Sequence, residues 1–179
     1  MPRPIAFVTT QHGDVINAAP FSYFNVVASN PPLVSVSVQR KDGVMKDTAR
    51  NALRTNELVI HVVDETNVIN VNETAANLAA DEGELSRTDF TLQPSDVIST
   101  PGVKEAKIRF ECVLHHHLPI EHDGKTTADL LIARIVRFHI DRELYNQGRI
   151  DARRLAPVSR MAGNSYATLG ELFDVKRPE

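Results

Sequence analysis

The chain has little of several residue types that mark common classes of site. Only one of its 179 residues is a cysteine, Cys112. A single thiol excludes an internal disulfide framework and a zinc site built from several cysteines. The 8 glycines are scattered along the chain. No two of them have G-x-G spacing and none stands at P-loop spacing ahead of a lysine, so a Rossmann fingerprint and a Walker A loop are both absent.

Charge and hydropathy exclude two further classes. The 20 lysines and arginines are outnumbered by 23 acidic residues and form no basic run, which gives no support for a nucleic-acid-binding protein. No apolar stretch approaches the roughly 18 residues that cross a membrane. The apolar run near the N-terminus is too short for a signal peptide. We therefore expect a cytoplasmic protein with neither nucleic acid nor membrane as a partner.

The composition is that of an ordinary globular protein, with 42% hydrophobic and 24% charged residues. The length predicts a single domain over residues 1–179, since one domain takes about 150 residues. Apolar residues alternate with polar ones in several segments, which is typical of half-buried strands. Strands are predicted at residues 4–10, 15–19, 33–39, 58–63, 106–118 and 127–140. With a few short helices, this pattern predicts a mainly β protein, a closed barrel with helical decoration.

Local signals refine this picture. Pro20 lacks an N–H and should end the pairing of the second strand. Asp47 or Thr48 is predicted to cap a short helix that runs to about residue 55, because both side chains can accept a helix N–H. A second helix is predicted at 66–80 and a terminal helical turn at 166–173. Acidic residues after the second helix are expected to form a solvated loop; they are Asp81, Glu82 and Glu84.

The first candidate site is the segment Asn17-Ala18-Ala19-Pro20-Phe21-Ser22. Small side chains before the proline would let a flat ligand approach backbone N–H and C=O groups closely. The alternative interpretation is an edge strand that ends in a loop, and the segment alone favours this alternative.

The second candidate site collects hydroxyls and cations around the start of the first predicted helix. Its residues are Ser35, Ser37, Arg40, Lys46, Asp47 and Thr48. A helix N-terminus carries free N–H groups and partial positive charge, which suit a phosphate, and an arginine can bind two phosphate oxygens. The alternative is a solvated strand face beside an ordinary helix cap.

An ordered set of short motifs identifies a resemblance. It comprises Pro2-Arg3-Pro4-Ile5, Asn17 to Phe24, Pro31-Pro32, Lys46-Asp47-Thr48, Glu111-Cys112, Gly148-Arg149-Ile150-Asp151, Leu155 to Arg160 and Gly163-Asn164-Ser165-Tyr166. In this order the segments resemble the flavin reductase-like family of FMN-binding split barrels. Flavoredoxin and the reductase partners of two-component monooxygenases belong to that family.

The resemblance implies a split β-barrel that forms a homodimer, with FMN at or near the subunit interface. By position, residues 17–22 would line the isoalloxazine ring, and Ser37, Arg40, Lys46, Asp47 and Thr48 would lie at the phosphate end. Arg160 and Tyr166 are further candidates for flavin contact. The activity implied is hydride transfer from NAD(P)H to flavin N5, with a monooxygenase as a possible acceptor protein. Hydride transfer needs no side-chain acid or base, so no catalytic residue is assigned.

Two alternatives stay open. The first is a flavoredoxin-type carrier that holds FMN without turning over NAD(P)H, because one branch of the family has a Gly-Asp-His motif where this chain reads Thr126-Thr127-Ala128. The second is a flavin- or heme-binding split barrel without turnover. No functional role is assigned to two other groups. His115 to His117 are interpreted as polar residues near a strand end rather than a metal site, and Cys112 is interpreted as a buried, inert thiol.

Overall fold

Strands dominate the computed structural model, which describes residues 1–76 and 83–178. In chain order the strands are β1 (Arg3–Pro4), β2 (Ala6–His12), β3 (Val15–Phe21), β4 (Phe24–Ser29), β5 (Pro32–Gln39), β6 (Glu57–Val62), β7 (Leu92–Gln93), β8 (Gly102–Val103), β9 (Ile108–His122), β10 (Lys125–Ile140), β11 (Tyr145–Asn146), β12 (Arg149–Ile150), β13 (Ser159–Arg160) and β14 (Tyr166–Ala167). The helices are α1 (Asp47–Thr55), α2 (Val68–Glu73) and α3 (Ala152–Leu155), with 3₁₀ turns at Glu84–Arg87 and Arg142–Leu144.

Seven strands form one antiparallel sheet in the order β3-β2-β6-β9-β10-β5-β4. The main core contains Phe21 from one edge strand, Val36 from near the other edge and Leu58 from the middle, and α1 adds Ala49 and Ala52. Strands from both ends of the sheet therefore meet around one core, which means that the sheet is strongly curved. A mainly β architecture with a few short helices is confirmed.

The alternation along β5 is confirmed in detail. Val34, Val36 and Val38 are all at most 2% exposed, because successive side chains of a strand point to opposite faces of the sheet. The hairpin between β9 and β10 turns at Asp123 and Gly124, and both residues have positive φ. Register shifts show that β10 is bulged against β9.

Three local predictions were wrong. Pro20 does not end the ladder, because it pairs with Phe7 within β3; β3 is an edge strand, where a proline nitrogen can face away from the ladder. The residue at the N-cap position of α1 is Lys46 rather than Asp47 or Thr48, and its side chain makes no capping hydrogen bond. Residues 166–173 form no helical turn; only Tyr166–Ala167 is regular, as strand β14.

The predicted helix at 66–80 is observed as the shorter α2, and its last four positions lie outside the described residues. Strand β4 had no counterpart among the predictions. Within the part of the chain that the structure describes, no helix is both long and apolar enough to cross a membrane.

His61 is a buried residue of β6 and joins three segments. Its Nδ1 lies 2.9 Å from the carbonyl oxygen of Phe7, and its Nε2 lies 2.9 Å from the N–H of Val103. The ring is therefore neutral, donating through Nδ1 and accepting at Nε2. Burial lowers its pKa from 6.5 to about 4, and the charge of Arg109 adds to this.

We expect acidification to destabilise the protein through His61. The unfolded chain takes up this proton near pH 6.5, whereas the folded chain does so only near pH 4. The contribution is therefore present above pH 6.5 and is lost as the pH falls towards 4. Between pH 7 and pH 5 the loss should be about 2 kcal/mol, measurable by urea unfolding. Replacement of the exposed His12 by glutamine should leave this pH dependence unchanged, and a flat stability profile in wild type would contradict the prediction.

Candidate functional site

A cleft of about 480 Å³ opens beside the outer edge of β3, within the 300–1,000 Å³ typical of ligand pockets. One wall is the second half of β3, and the opposite wall is the loop that leads into α1 together with the first turn of that helix. The lining residues are Asn17, Ala19, Pro20, Phe21, Lys41, Asp42, Val44, Met45, Lys46, Asp47, Thr48, Arg50, Thr74, Ala75, Ala76 and Glu84. Most of the residues predicted for the two candidate sites thus meet in one place.

Cationic side chains and free helix N–H groups meet at the start of α1, on one side of the cleft. No side chain caps the N-terminus of this helix, so its first N–H groups keep their hydrogen-bonding capacity. The ammonium of Lys46 lies 6.0 Å from the centroid of the Phe21 ring. Arg50 also lines the cleft and pairs with Asp47. Helix N–H groups and cations together favour an anion at this end.

Polar groups beneath the cleft form a buried chain. The Thr48 hydroxyl donates to Oδ1 of Asn17 at 2.8 Å. The amide nitrogen of Asn17 donates to Oε1 of Glu84 at 2.8 Å, and the N–H of Ala18 donates to Oε2 of the same carboxylate at 2.9 Å. Because the Thr48 hydroxyl proton is engaged by Asn17, this hydroxyl supports the wall of the cleft rather than donating to a ligand.

Glu84 corrects one sequence prediction and adds a residue that the sequence missed. It was expected in a solvated loop, yet it is only 8% exposed. The backbone of Gly83 approaches β3 so closely that a Cβ there would lie 2.9 Å from the carbonyl oxygen of Ile16. No periodic sequence pattern predicts this contact, because it forms only when a distant segment folds back onto β3. Asp81 and Glu82, predicted to be solvated with it, lie outside the described residues.

A second, smaller cavity of about 210 Å³ adjoins the cleft. Its lining residues are Ile5, Pro20, Ser22, Val68, Val71, Asn72, Ala75, Arg160 and Tyr166. The Arg160 guanidinium stacks 4.6 Å from the centroid of Tyr166, and the Tyr166 hydroxyl donates to Asn72 at 3.0 Å. Because Pro20 and Ala75 line both cavities, the two form neighbouring parts of one trough.

Arg40 and Ser37 stand apart from this trough. The Nε and Nη2 atoms of Arg40 donate to the two carboxylate oxygens of Asp129, each at 2.8 Å. Burial works to raise the pKa of Asp129, but hydrogen bonds from Arg40 and His117 outweigh it and leave that pKa below its ordinary value. The Ser37 hydroxyl accepts from Gln39 at 3.3 Å. Neither Arg40 nor Ser37 is among the residues that line the two cavities.

The remaining titratable candidates have partners within the fold. Cys112 is fully buried, as predicted, and burial raises its thiol pKa, so the thiol is unreactive. Among the described residues, Asp96, Glu111 and His139 are close enough together to hold a metal ion. Both oxygens of Glu111 already accept hydrogen bonds from backbone N–H groups, and Arg137 pairs with Asp96. We therefore interpret these three residues as part of an ion-pair network rather than as a metal site.

Comparison with known proteins decides the family. The family model of the flavin reductase like domain matches residues 1–155. The chain belongs to the flavin reductase-like family. The protein YwrF of Bacillus subtilis (strain 168) is 54% identical over 182 residues, which cover 99% of this chain and 89% of YwrF.

Solved structures agree with this membership. Nitrilotriacetate monooxygenase component B from Bacillus cereus is 54% identical, with a TM-score of 0.95 over 98% of this chain and 88% of that one. A protein with a split barrel domain from Shewanella frigidimarina NCIMB 400 has a TM-score of 0.88 at 21% identity, over 99% of this chain and 87% of that one. The predicted split barrel is therefore confirmed, and family membership supports a flavin-dependent oxidoreductase as the broad function.

Proposed function

We propose that this protein binds FMN in the cleft and acts as an NAD(P)H-dependent flavin reductase. The observation that carries the proposal is the juxtaposition of an anion-binding end with an apolar wall. The uncapped start of α1 and Lys46 lie at one end, and Ala19, Pro20 and Phe21 form the neighbouring wall. FMN has the same two parts, a phosphate and a flat ring system.

The phosphate end fits the chemistry of a dianion. Lys41, Lys46 and Arg50 supply three cations around the first turn of α1. Charge-assisted hydrogen bonds from such groups are about twice as strong as neutral ones. Asp42 and Asp47 also line the cleft, and the pairing of Asp47 with Arg50 compensates one of these negative charges.

The ring end fits a flat, mostly apolar group. Ala19 and Pro20 present little side-chain bulk, so a ring can approach the backbone of β3. Bound FMN would accept a hydride at N5 and pass on the electrons. The residues of the chain would bind and orient it, and the buried chain from Thr48 through Asn17 to Glu84 would keep that wall rigid.

The partners proposed follow from the comparison with component B of a monooxygenase. A reductase of this kind would pass reduced flavin to a separate oxygenase. We propose a homodimer as the functional unit, in line with the family resemblance. NAD(P)H is the proposed hydride donor.

A second candidate function is a carrier that receives electrons from another protein. It is favoured by the stretch Thr126-Thr127-Ala128, which stands where one branch of the family has Gly-Asp-His. This stretch lies at the start of β10, beside Arg40 and outside the two cavities described above.

The absorption spectrum of the purified protein after addition of FMN tests both candidates. We expect a bound-flavin spectrum that is bleached by NADH or NADPH in the absence of oxygen. Bleaching by only one of the two would identify the donor. A bound flavin that neither donor reduces would favour the carrier. If ultrafiltration of the mixture left all the FMN in the filtrate, the protein would not bind FMN and the proposal would be overturned.

A further inference from the structure

Glu84 is the one acidic side chain that is largely buried in the wall of the cleft, among the residues that the structure describes. Its two oxygens accept hydrogen bonds from the Asn17 amide and the Ala18 N–H, both from β3. We propose that Glu84 is a positioning residue of the flavin site: its carboxylate fixes the Asn17 amide and sets how well the cleft accepts electron-rich, reduced flavin. This inference rests on the proposed binding of FMN in the cleft.

The positioning role follows from the direction of the hydrogen bonds. An ionised carboxylate only accepts, so it forces the NH₂ group of Asn17 towards Glu84. The Asn17 oxygen must then face Thr48, whose hydroxyl donates to it at 2.8 Å. The charge of Glu84 thus fixes the orientation of a whole chain of groups from β3 to the first turn of α1.

The electrostatic role follows from burial. A carboxylate at a desolvated position acts through a lower effective dielectric than water, so its field reaches a neighbouring ligand weakly screened. Reduction makes a flavin more electron-rich, and a fixed negative charge in the wall opposes that change. Burial raises the pKa of Glu84, although its hydrogen bonds from Ala18 and Asn17 act in the opposite direction, so acidification would remove this charge.

Other charged groups around the cleft are distinguishable from Glu84. They are Lys41, Asp42, Lys46, Asp47 and Arg50 on the facing loop and α1, Glu73 on α2, and Arg87 on the same 3₁₀ turn. Strand β3 itself brings no titratable side chain. Glu73 pairs with Arg87 at 3.9 Å and is about half exposed, so Glu73→Gln is a matched control with the same change of charge close to the same turn.

The test is to measure the Kd of oxidised and of chemically reduced FMN between pH 5 and pH 9, without oxygen, in wild type, Glu84→Gln and Glu73→Gln. The quantity compared is the affinity ratio, the Kd of oxidised FMN divided by the Kd of reduced FMN. At pH 8 we expect this ratio to be about tenfold higher in Glu84→Gln than in wild type. The difference from wild type should shrink as the pH falls, because burial raises the pKa of Glu84 and acidification adds a proton to the wild-type carboxyl. The control should follow wild type throughout.

The outcomes separate the two roles and the two proposals. One outcome is that Glu84→Gln lowers the thermal midpoint of unfolding but has the wild-type affinity ratio at every pH. Glu84 would then only stabilise the edge of β3, and the inference would fail. If wild type binds no FMN, the proposed function fails and this inference fails with it.

A second variant guards against poor folding of Glu84→Gln. In Gly83→Ala the new Cβ meets the Ile16 carbonyl, so the turn must shift while the carboxylate is kept. We expect Gly83→Ala to favour reduced FMN over oxidised FMN as Glu84→Gln does, but by a smaller factor. An unchanged ratio in this variant would overturn the positioning role.

Discussion

Replacement of Lys46 by methionine should weaken FMN binding by about 10- to 100-fold, since a hydrogen bond to a charged group contributes about 1.5–3 kcal/mol. Lys46 is the residue just before α1, and its ammonium lies over the Phe21 ring at the mouth of the cleft. Methionine keeps most of the length of the side chain and its contact with Phe21 while it removes the charge. Fluorescence quenching of the flavin on titration with protein would give the Kd.

Riboflavin makes this prediction specific for the phosphate. It has the same ring as FMN but no phosphate, so its affinity should change little in Lys46→Met. Lys125→Met, on the exposed hairpin between β9 and β10, is the matched control and should bind FMN as wild type does. If Lys46→Met lost FMN and riboflavin affinity by the same factor, Lys46 would act on the ring end and the assignment of the phosphate end would be wrong.

Replacement of Asp129 by asparagine should lower the free energy of unfolding by about 3–5 kcal/mol, the usual result of removing one partner from a buried ion pair. The Asp129 carboxylate is fully buried and accepts from both Arg40 and His117. In the variant the amide oxygen can still accept a hydrogen bond. The NH₂ group replaces the second carboxylate oxygen, so it faces a hydrogen-bond donor and cannot accept from it. Urea unfolding followed by circular dichroism would measure the loss.

The same variant separates a structural role of this ion pair from a ligand-binding role. Because Arg40 donates to Asp129 and Gly43 and lines neither cavity, we expect the Asp129→Asn protein that remains folded to bind FMN with wild-type affinity. Asp123→Asn, an exposed residue of the neighbouring hairpin, should leave the stability unchanged. FMN affinity that fell together with stability would show that Arg40 belongs to the phosphate end after all.

The sequence predicted regular, local features well and contacts between distant segments poorly. The alternation of Val34, Val36 and Val38 with polar residues identifies β5 because one face of a curved sheet must be apolar. Phe21 and Lys46 were predicted in two separate candidate sites, which only the family resemblance assigned to one ligand, and they do line one cleft. Glu84 was misjudged because its burial depends on a contact with β3 across more than sixty residues, which no local pattern encodes.

Arg40 illustrates a different limit. As a side chain at the end of a strand it has the chemistry of a phosphate ligand, and the sequence alone cannot reveal that a buried carboxylate from β10 lies opposite it. The pairing arises from the register in which Gln39 of β5 lies across from Ala128. Register is fixed by the packing of the whole sheet, so the partner of Arg40 becomes visible only in the folded chain.

The outer edge of β3 has a consequence for the behaviour of the protein at high concentration. An unpaired edge strand normally invites a strand from another molecule, because its outward N–H and C=O groups are free. Here the outward N–H of Ala18 is taken by Glu84, and two residues further on Pro20 has no N–H at all. The edge that borders the ligand cleft is thereby protected against intermolecular strand pairing, so the cleft can stay open without making the sheet prone to aggregation.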